Sequence, residues 1–180
     1  MSLRTKWIGL IYKAAAGNRK VRTILTPIVG LSYFLLSSLF VIAAFLIDRL
    51  FNFPQFPPAP IDRYLSIFFI ITGLLLAFWC VFNFVKIKGT PVPFNPPPKL
   101  VQSGPYAYIR NPMLSGIFIF LFGLGFAFQS ICLIFIFTPL FVLMNVMELK
   151  AIGEPELEMR LGKEYMNYKK RTPMFFSKIW

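Results

Sequence analysis

The sequence predicts an all-α, polytopic membrane protein with about four transmembrane helices, the last two forming a tight hairpin, and a cytosolic amphipathic helix near the C-terminus. Of the 180 residues, 57% are apolar and only 14% are charged, whereas soluble domains carry about 25% charged residues. Phenylalanine alone occupies 22 positions. The apolar residues are gathered in long runs, and a run of roughly 20 residues is enough to cross a bilayer as a helix.

A basic segment, Met1–Arg22, precedes the first apolar run and contains six Lys and Arg residues. Within it, Met1–Tyr12 fits a helix lying on the membrane surface, with Trp7, Ile8 and Ile11 facing lipid. We therefore expect an interfacial segment (residues 1–22) before the membrane-spanning part of the chain.

Three apolar runs follow this segment. The first two predict one transmembrane helix each and together make up residues 23–85. The third run has 35 residues, too many for one span, and Gln129-Ser130 is its only polar pair. We interpret it as a helical hairpin whose halves are short for spans, at about 24–26 Å each. The four predicted spans are Thr23–Ile47, Tyr64–Val85, Met113–Phe128 and Ile131–Met147.

The distribution of basic residues predicts the orientation. Of the 19 Lys and Arg residues, 17 fall in the N-terminal segment, the Lys86–Asn111 loop and the tail, and only Arg49 and Arg63 lie in the first loop. Because Lys and Arg are enriched on the cytoplasmic face, we expect both termini to be cytosolic in a multi-pass protein of the bacterial inner membrane or the endoplasmic reticulum. The net charge of +12 then reflects topology and attraction to anionic lipid, not nucleic-acid binding.

Composition also excludes several kinds of site. The chain contains no histidine, which rules out histidine-ligated metal or haem centres, Ser-His-Asp triads and an imidazole general base. The two cysteines, Cys80 and Cys132, lie inside apolar runs and form no CxxC pair, so we interpret them as small buried hydrophobic residues rather than metal ligands.

Unusual chemistry is concentrated in the loop before the third span. Gly104-Pro105 predicts a turn, and Pro112 suits the first turn of the helix that follows. A helix N-terminus beside Arg110 would bind an anion, because its free N–H groups and the guanidinium all donate. The alternative is an interfacial aromatic belt with a snorkelling arginine. The residues concerned are Tyr106, Tyr108, Arg110, Asn111 and Pro112.

The tail carries a second pattern. Leu157, Leu161, Tyr165 and Tyr168 recur at helical spacing, acids cluster at the start, and Lys169-Lys170-Arg171 closes the segment, as the helix dipole favours. The sequence predicts one amphipathic helix here.

The strings GTPVPFNPPPKLVQSGPYAYIRNPM and EPELEMRLGKEYMNYKKRTP, on either side of an apolar hairpin, resemble the isoprenylcysteine carboxyl methyltransferase-like family, whose relatives include the phospholipid methyltransferases. The resemblance covers Gly89–Pro173, nearly half of the chain. The GPY-x-Y-x-R-[H/N]-P pattern matches from Gly104 to Pro112. In the second string, Gly153 stands where the family has the first glutamate of a pair.

The resemblance implies an S-adenosylmethionine site between the cytosolic ends of the last two spans, capped by the tail, so that residues 86–180 form the cofactor-binding core. Arg110 would take the cofactor carboxylate, and Glu154 its ammonium or ribose hydroxyls. Tyr106, Tyr108 or Tyr165 would stack on adenine or face the sulfonium. Asn111, Pro112, Met113 and Gly116 complete the implied cofactor-binding set.

Four assignments have alternatives. Tyr165, like Tyr168, would instead fit the packed face of the tail helix. Gly116, like Gly123 and Gly125, would instead allow close helix packing, and Glu154 would instead stabilise a helix dipole as an acid near the N-terminus. We assign Glu148 and Arg171 to catalysis, since an acid at the end of a span is a functional candidate, although Glu148 would also reach water at that position.

The implied function is methyl transfer from S-adenosylmethionine to a lipophilic acceptor that enters from the bilayer: a prenylcysteine carboxylate, a lipid, or a small thiol or amine. Two alternatives stay open. One is a nicotinamide-dependent membrane reductase of related architecture, and the other is a non-catalytic relative that binds lipid or a partner.

Overall fold

A computed structural model of the chain describes residues 3–15, 19–87, 90 and 99–175. All regular secondary structure in these residues is helical, which confirms the all-α prediction. The α-helices are α1 (Leu3–Ala15), α2 (Arg19–Leu50), α3 (Ile61–Lys86), α4 (Pro112–Ala127), α5 (Thr138–Glu148), α6 (Glu154–Leu161) and α7 (Lys163–Arg171). A 3₁₀ turn covers Gly104–Ala107, and π-helical segments cover Leu133–Phe137 and Leu149–Gly153.

Three helical stretches are long and apolar enough to cross a membrane, namely Thr23–Leu50, Ile61–Lys86 and Leu133–Leu161. The third predicted span is the shorter apolar helix α4, whose 16 residues extend about 24 Å. A tight turn at Phe128–Gln129, with Gln129 in the left-handed region (φ 51°), joins α4 to the next helix. The predicted helical hairpin is therefore confirmed.

The N-terminal segment is helical over Leu3–Ala15, and α1 contacts α6 and the π-helical segment before it. Its Trp7 side chain is half-exposed. Met1, Ser2 and most of the proline-rich string (residues 88–89 and 91–98) lie outside the described residues.

The tail differs from its prediction in two ways. The last apolar helix does not end at Met147 but continues into α6, through the π-helical segment Leu149–Gly153. Pro155 lacks an N–H and its ring crowds the preceding turn, so it interrupts the regular α-helical hydrogen bonding. The π-helical turn lies directly before it, where the helix departs from α geometry. The prediction of one amphipathic helix in the tail is wrong, because Gly162 (φ 55°) separates α6 from α7.

The chain forms two compact units. The first, which we call the motif unit, contains the described parts of Met1–Ser32, Trp79–Pro112 and Asn145–Trp180. The second, the bundle unit, contains Tyr33–Phe78 and Met113–Met144.

In the bundle unit, α3 and α4 pack backbone against backbone. A Cβ atom built on Gly73 would lie 2.6 Å from Phe120 N and 2.7 Å from Gly116 O, and one on Gly116 would lie 2.9 Å from Gly73 O. A Cβ on Gly123 would lie 2.7 Å from Ile70 N. Small residues allow such close approach between membrane helices, so Gly116 has the packing contact that was the alternative to its cofactor role.

Asp48 caps the start of the last apolar helix within this unit. The Ser130 hydroxyl donates to Asp48 Oδ2, and the Cys132 N–H donates to Asp48 Oδ1 at 3.1 Å. Ser130 Oγ in turn accepts the Leu133 N–H at 2.9 Å. These bonds satisfy N–H groups that a helix start leaves without partners. Cys132, like Cys80, is a buried free cysteine, as predicted.

Candidate functional site

The first family string folds as a tight turn in the motif unit. Gly104 has a φ of 59°, and a Cβ atom there would lie 2.8 Å from the Asn83 side-chain nitrogen, so only glycine fits without a shift. The turn buries Tyr106, whose ring packs edge-on against Phe84 at 5.4 Å between centroids. The turn thereby fixes the direction in which the chain approaches Arg110.

The tail folds back onto this loop and pairs with its backbone. The Arg110 N–H donates to Pro173 O at 2.9 Å, and the Asn111 N–H donates to Met174 O at 3.2 Å. The Tyr168 hydroxyl donates to the Tyr106 carbonyl oxygen at 2.6 Å. These bonds hold the two family strings together, although the bonded residues are about 60 positions apart in sequence.

An ion-pair network lies where the two strings meet. Both Nε and Nη2 of Arg110 donate to Glu154 Oε1, the former at 3.1 Å. Lys169 Nζ lies 2.6 Å from Glu154 Oε2 and 2.8 Å from Glu158 Oε1. The remaining Arg110 nitrogen, Nη1, donates to the carbonyl oxygens of Lys169 at 3.1 Å and Thr172 at 2.5 Å.

The Arg110–Glu154 pair of this network is buried, whereas Lys169 and Glu158 are each 37% exposed. The side chains of Arg110 and Glu154 are only 9% and 6% exposed. Hydrogen bonds to Glu154 and Glu158 raise the pKa of the Lys169 amine, so Lys169 is a fixed cation of the network. The structure therefore brings together the two residues predicted to bind opposite charges of the cofactor, and pairs them with each other.

Three tyrosines of the motif unit are buried, and two of them, Tyr165 and Tyr168, interact electrostatically with Arg110 of the network. Burial raises the pKa of the Tyr106, Tyr165 and Tyr168 hydroxyls, and the Glu154 carboxylate raises that of Tyr165 further. The rings of Tyr165 and Tyr168 lie 6.2 Å apart between centroids. These hydroxyls are neutral hydrogen-bonding groups at physiological pH.

We expect the three tyrosines to stay protonated in the folded protein at a pH where unfolded tyrosines ionise, about 10. Their contribution to the free energy of unfolding is complete below that pH and is lost as the pH rises through the folded-state values, since only the unfolded state then releases protons. Tyrosinate absorbance during a pH titration measures this, with denatured protein as the reference. Tyr165→Phe should remove one late-titrating group. Full ionisation of the folded wild type near pH 10 would contradict the expectation.

The other predicted site residues are more scattered. Tyr108 is 66% exposed, Pro112 is fully buried at the start of α4, and Met113 is half-buried. Glu148 is exposed, and its Oε2 lies 3.9 Å from where a Cβ of Gly153 would be.

Arg171 lies at a polar crevice of about 300 Å³ beside the loop. Its Nη2 donates to Gln102 Oε1, and Gln102 Nε2 donates to Glu164 Oε1 at 3.4 Å. Tyr168 and Thr172 also line this crevice. Arg171 thus lies within the motif unit but has no direct contact with the Arg110–Glu154 pair among its described hydrogen bonds.

Four participants were not predicted from the sequence. Lys169 was interpreted only as a favourable charge at a helix end, and Glu158, Thr172 and Gln102 were not singled out. The spacing of Glu154 and Glu158 was a usable signal, because residues four apart share one helix face and two acids on one face favour a nearby cation.

Residues 61–164 match the phospholipid methyltransferase family. The chain is also similar to the nickel-cobalt-cadmium resistance protein NccN of Alcaligenes xylosoxydans xylosoxydans, with 32% identity over 101 residues. That match covers 56% of this chain and 43% of NccN, so the chain spans less than half the length of this relative. The family match takes in more than half of the chain, including the motif loop, the hairpin and the glutamates of the tail, and the chain belongs to the phospholipid methyltransferase family.

Proposed function

We propose that the protein transfers a methyl group from S-adenosylmethionine to a lipophilic acceptor that reaches it from the bilayer. The observation that carries this proposal is the buried Arg110–Glu154 pair. It joins the two strings of the family pattern within the region that the family match covers.

The charges of the network suit the amino-acid end of the cofactor. That end is a zwitterion, with a carboxylate and an ammonium, and the network offers two cations beside two carboxylates. Arg110 and Lys169 would hold the carboxylate, and Glu154 and Glu158 the ammonium, so binding would exchange one set of ion pairs for another. The ring of Tyr106 or Tyr165 would stack on adenine or face the sulfonium, which aromatic rings attract as they attract other cations.

The bound cofactor supplies an electrophilic methyl group on a sulfonium. The chain's own residues would bind, orient and keep out water. Burial of the Arg110–Glu154 pair would help to exclude water from the site, and so would the pairing of Pro173 and Met174 with the loop backbone. None of these residues would contribute a nucleophile.

The proton balance depends on the acceptor. A thiolate or carboxylate needs no base, whereas an amine or hydroxyl must lose a proton. Both carboxylate oxygens of Glu154 already accept hydrogen bonds from cations. Glu148 Oε2, which has no ion-pair partner among the described residues, is therefore the better proton acceptor for an amine.

Calorimetric titration of the purified protein with S-adenosylhomocysteine tests the proposal. We expect binding in the micromolar range, lost in Arg110→Ala and kept in Arg160→Ala. Arg160 is a suitable control because it also pairs with a buried glutamate, Glu156 at 2.9 Å, but lies outside the network.

Thermal unfolding of each variant separates lost binding from lost structure. Failure of folded wild-type protein to bind S-adenosylhomocysteine would overturn the proposal. Binding of NADPH instead would favour the reductase alternative, and binding of neither would favour the non-catalytic one.

A further inference from the structure

None of the residues that line an apolar pocket in the bundle unit belongs to the candidate site. The volume of this pocket is about 640 Å³, within the range of about 300–1,000 Å³ that small-molecule sites occupy. Ten residues line it, all of them apolar and half of them phenylalanine: Phe56, Pro57, Pro58, Ile61, Leu65, Phe69, Phe122, Phe126, Ile134 and Phe135.

The wall formed by the α2–α3 loop is held by hydrogen bonds between the loop backbone and Gln129 of the hairpin turn. The Phe56 N–H donates to Gln129 O at 3.1 Å, and Gln129 Nε2 donates to Pro57 O at 3.1 Å. Neither Pro57 nor Pro58 has an N–H of its own. The loop therefore presents apolar side chains to the pocket and satisfies its backbone at the hairpin turn.

The helical walls are held by ring contacts. Phe69 of α3 packs edge-on against Phe126 of α4 at 5.1 Å, and Phe56 packs against Phe135 at 5.7 Å. Ile61, Leu65 and Phe69 recur every four residues and so share one face of α3. The pocket is thus an open groove with a wall from each of four chain segments.

The surroundings and the lining together identify the occupant. α3 and the stretch Leu133–Leu161 are apolar enough to cross a membrane, so lipid hydrocarbon would surround these two walls of the pocket. No lining side chain can donate or accept a hydrogen bond, which disfavours a polar ligand. Arg49 and Arg63, at the end of α2 and the start of α3, are exposed near this end of both helices, where a phosphate headgroup would meet cations.

We propose that this pocket binds one hydrocarbon chain of a membrane glycerophospholipid. The proposal is independent of the methyltransferase proposal, because it rests on a different unit and needs no cofactor.

Native mass spectrometry of detergent-washed protein, reloaded with palmitoyl-oleoyl phosphatidylglycerol, tests this. We expect one lipid per chain in the wild type and at least a tenfold lower occupancy in Leu65→Trp, whose indole would project into the pocket and obstruct an acyl chain. Tyr64→Trp is the matched control, because Tyr64 is the adjacent residue of α3, is 73% exposed and does not line the pocket. It should retain the lipid.

Equal lipid retention in the two variants, or no retained lipid in the wild type, would overturn the proposal. If Leu65→Trp does not fold, Phe122→Trp is loaded with a lipid brominated on its acyl chains. The fluorescence that this substitution adds to that of the wild type is then measured after washing. Quenching of the added fluorescence by the brominated lipid supports the site, and no quenching refutes it. The readout is lipid mass or fluorescence, so a negative result with S-adenosylhomocysteine leaves it unaffected.

Discussion

Gly73→Leu should prevent α3 and α4 from packing and leave the protein largely unfolded. A Cβ atom at Gly73 would lie 2.6 Å from Phe120 N and 2.7 Å from Gly116 O, both backbone atoms that cannot rotate away. Forcing extra carbons into a packed interface costs about 1–3 kcal/mol, occasionally more, and we expect the upper end or beyond. The measurement is the free energy of unfolding in detergent micelles, together with the yield of monodisperse protein.

Gly30→Leu is the matched control. Gly30 lies inside α2 and is exposed, and a Cβ atom added there would have no neighbouring atom within 4 Å. Leucine there should be neutral or slightly stabilising, because glycine is the weaker helix former. Equal behaviour of the two variants would show that the close approach of α3 and α4 does not support the fold.

Glu154→Ala should destabilise the protein by about 3–5 kcal/mol, the usual cost of removing one partner of a buried ion pair. The Arg110 side chain, only 9% exposed, would lose its counter-ion, and Lys169 would keep only Glu158. Chemical denaturation in micelles measures the loss. Glu164→Ala is the control, because Glu164 is exposed and makes only a 3.4 Å contact with Gln102. It should cost less than about 0.5 kcal/mol.

The double variant Arg110→Met, Glu154→Leu separates charge pairing from ligand binding. Replacing a buried ion pair by apolar residues of similar size is often neutral or stabilising, so the double variant should recover most of the stability that Glu154→Ala loses. It should still fail to bind S-adenosylhomocysteine. A double variant that remained as unstable as Glu154→Ala would show that the pair itself is not the source of the instability.

Much of the membrane architecture was predictable because it depends on composition within single segments. Apolar length identified α2 and α3, and the polar pair Gln129-Ser130 located the hairpin turn. The boundaries were less accurate: α2 extends to Arg19 and Leu50. Helical hydrogen bonds continue into flanking polar residues that hydropathy does not register.

Features that depend on contacts between distant residues were not predictable. The family pattern placed Arg110 and Glu154 in one site, but nothing in it indicated that the two side chains pair with each other. The role of Gly73 was missed because it needs the backbone of α4 as a neighbour. Gly162 lies inside the second family string, yet its effect of dividing the tail helix emerges only from its positive φ.

The pairing of Arg110 with Glu154 also sets an order of assembly during synthesis. The two residues are 44 positions apart, and chains grow at about 5–20 residues per second, so Arg110 leaves the ribosome about 2–9 s before its partner. During that interval the guanidinium has no internal counter-ion and must remain in contact with water or lipid headgroups. The nascent loop is therefore held at the membrane surface by its own unpaired charge, and it becomes buried only when the tail arrives to neutralise it.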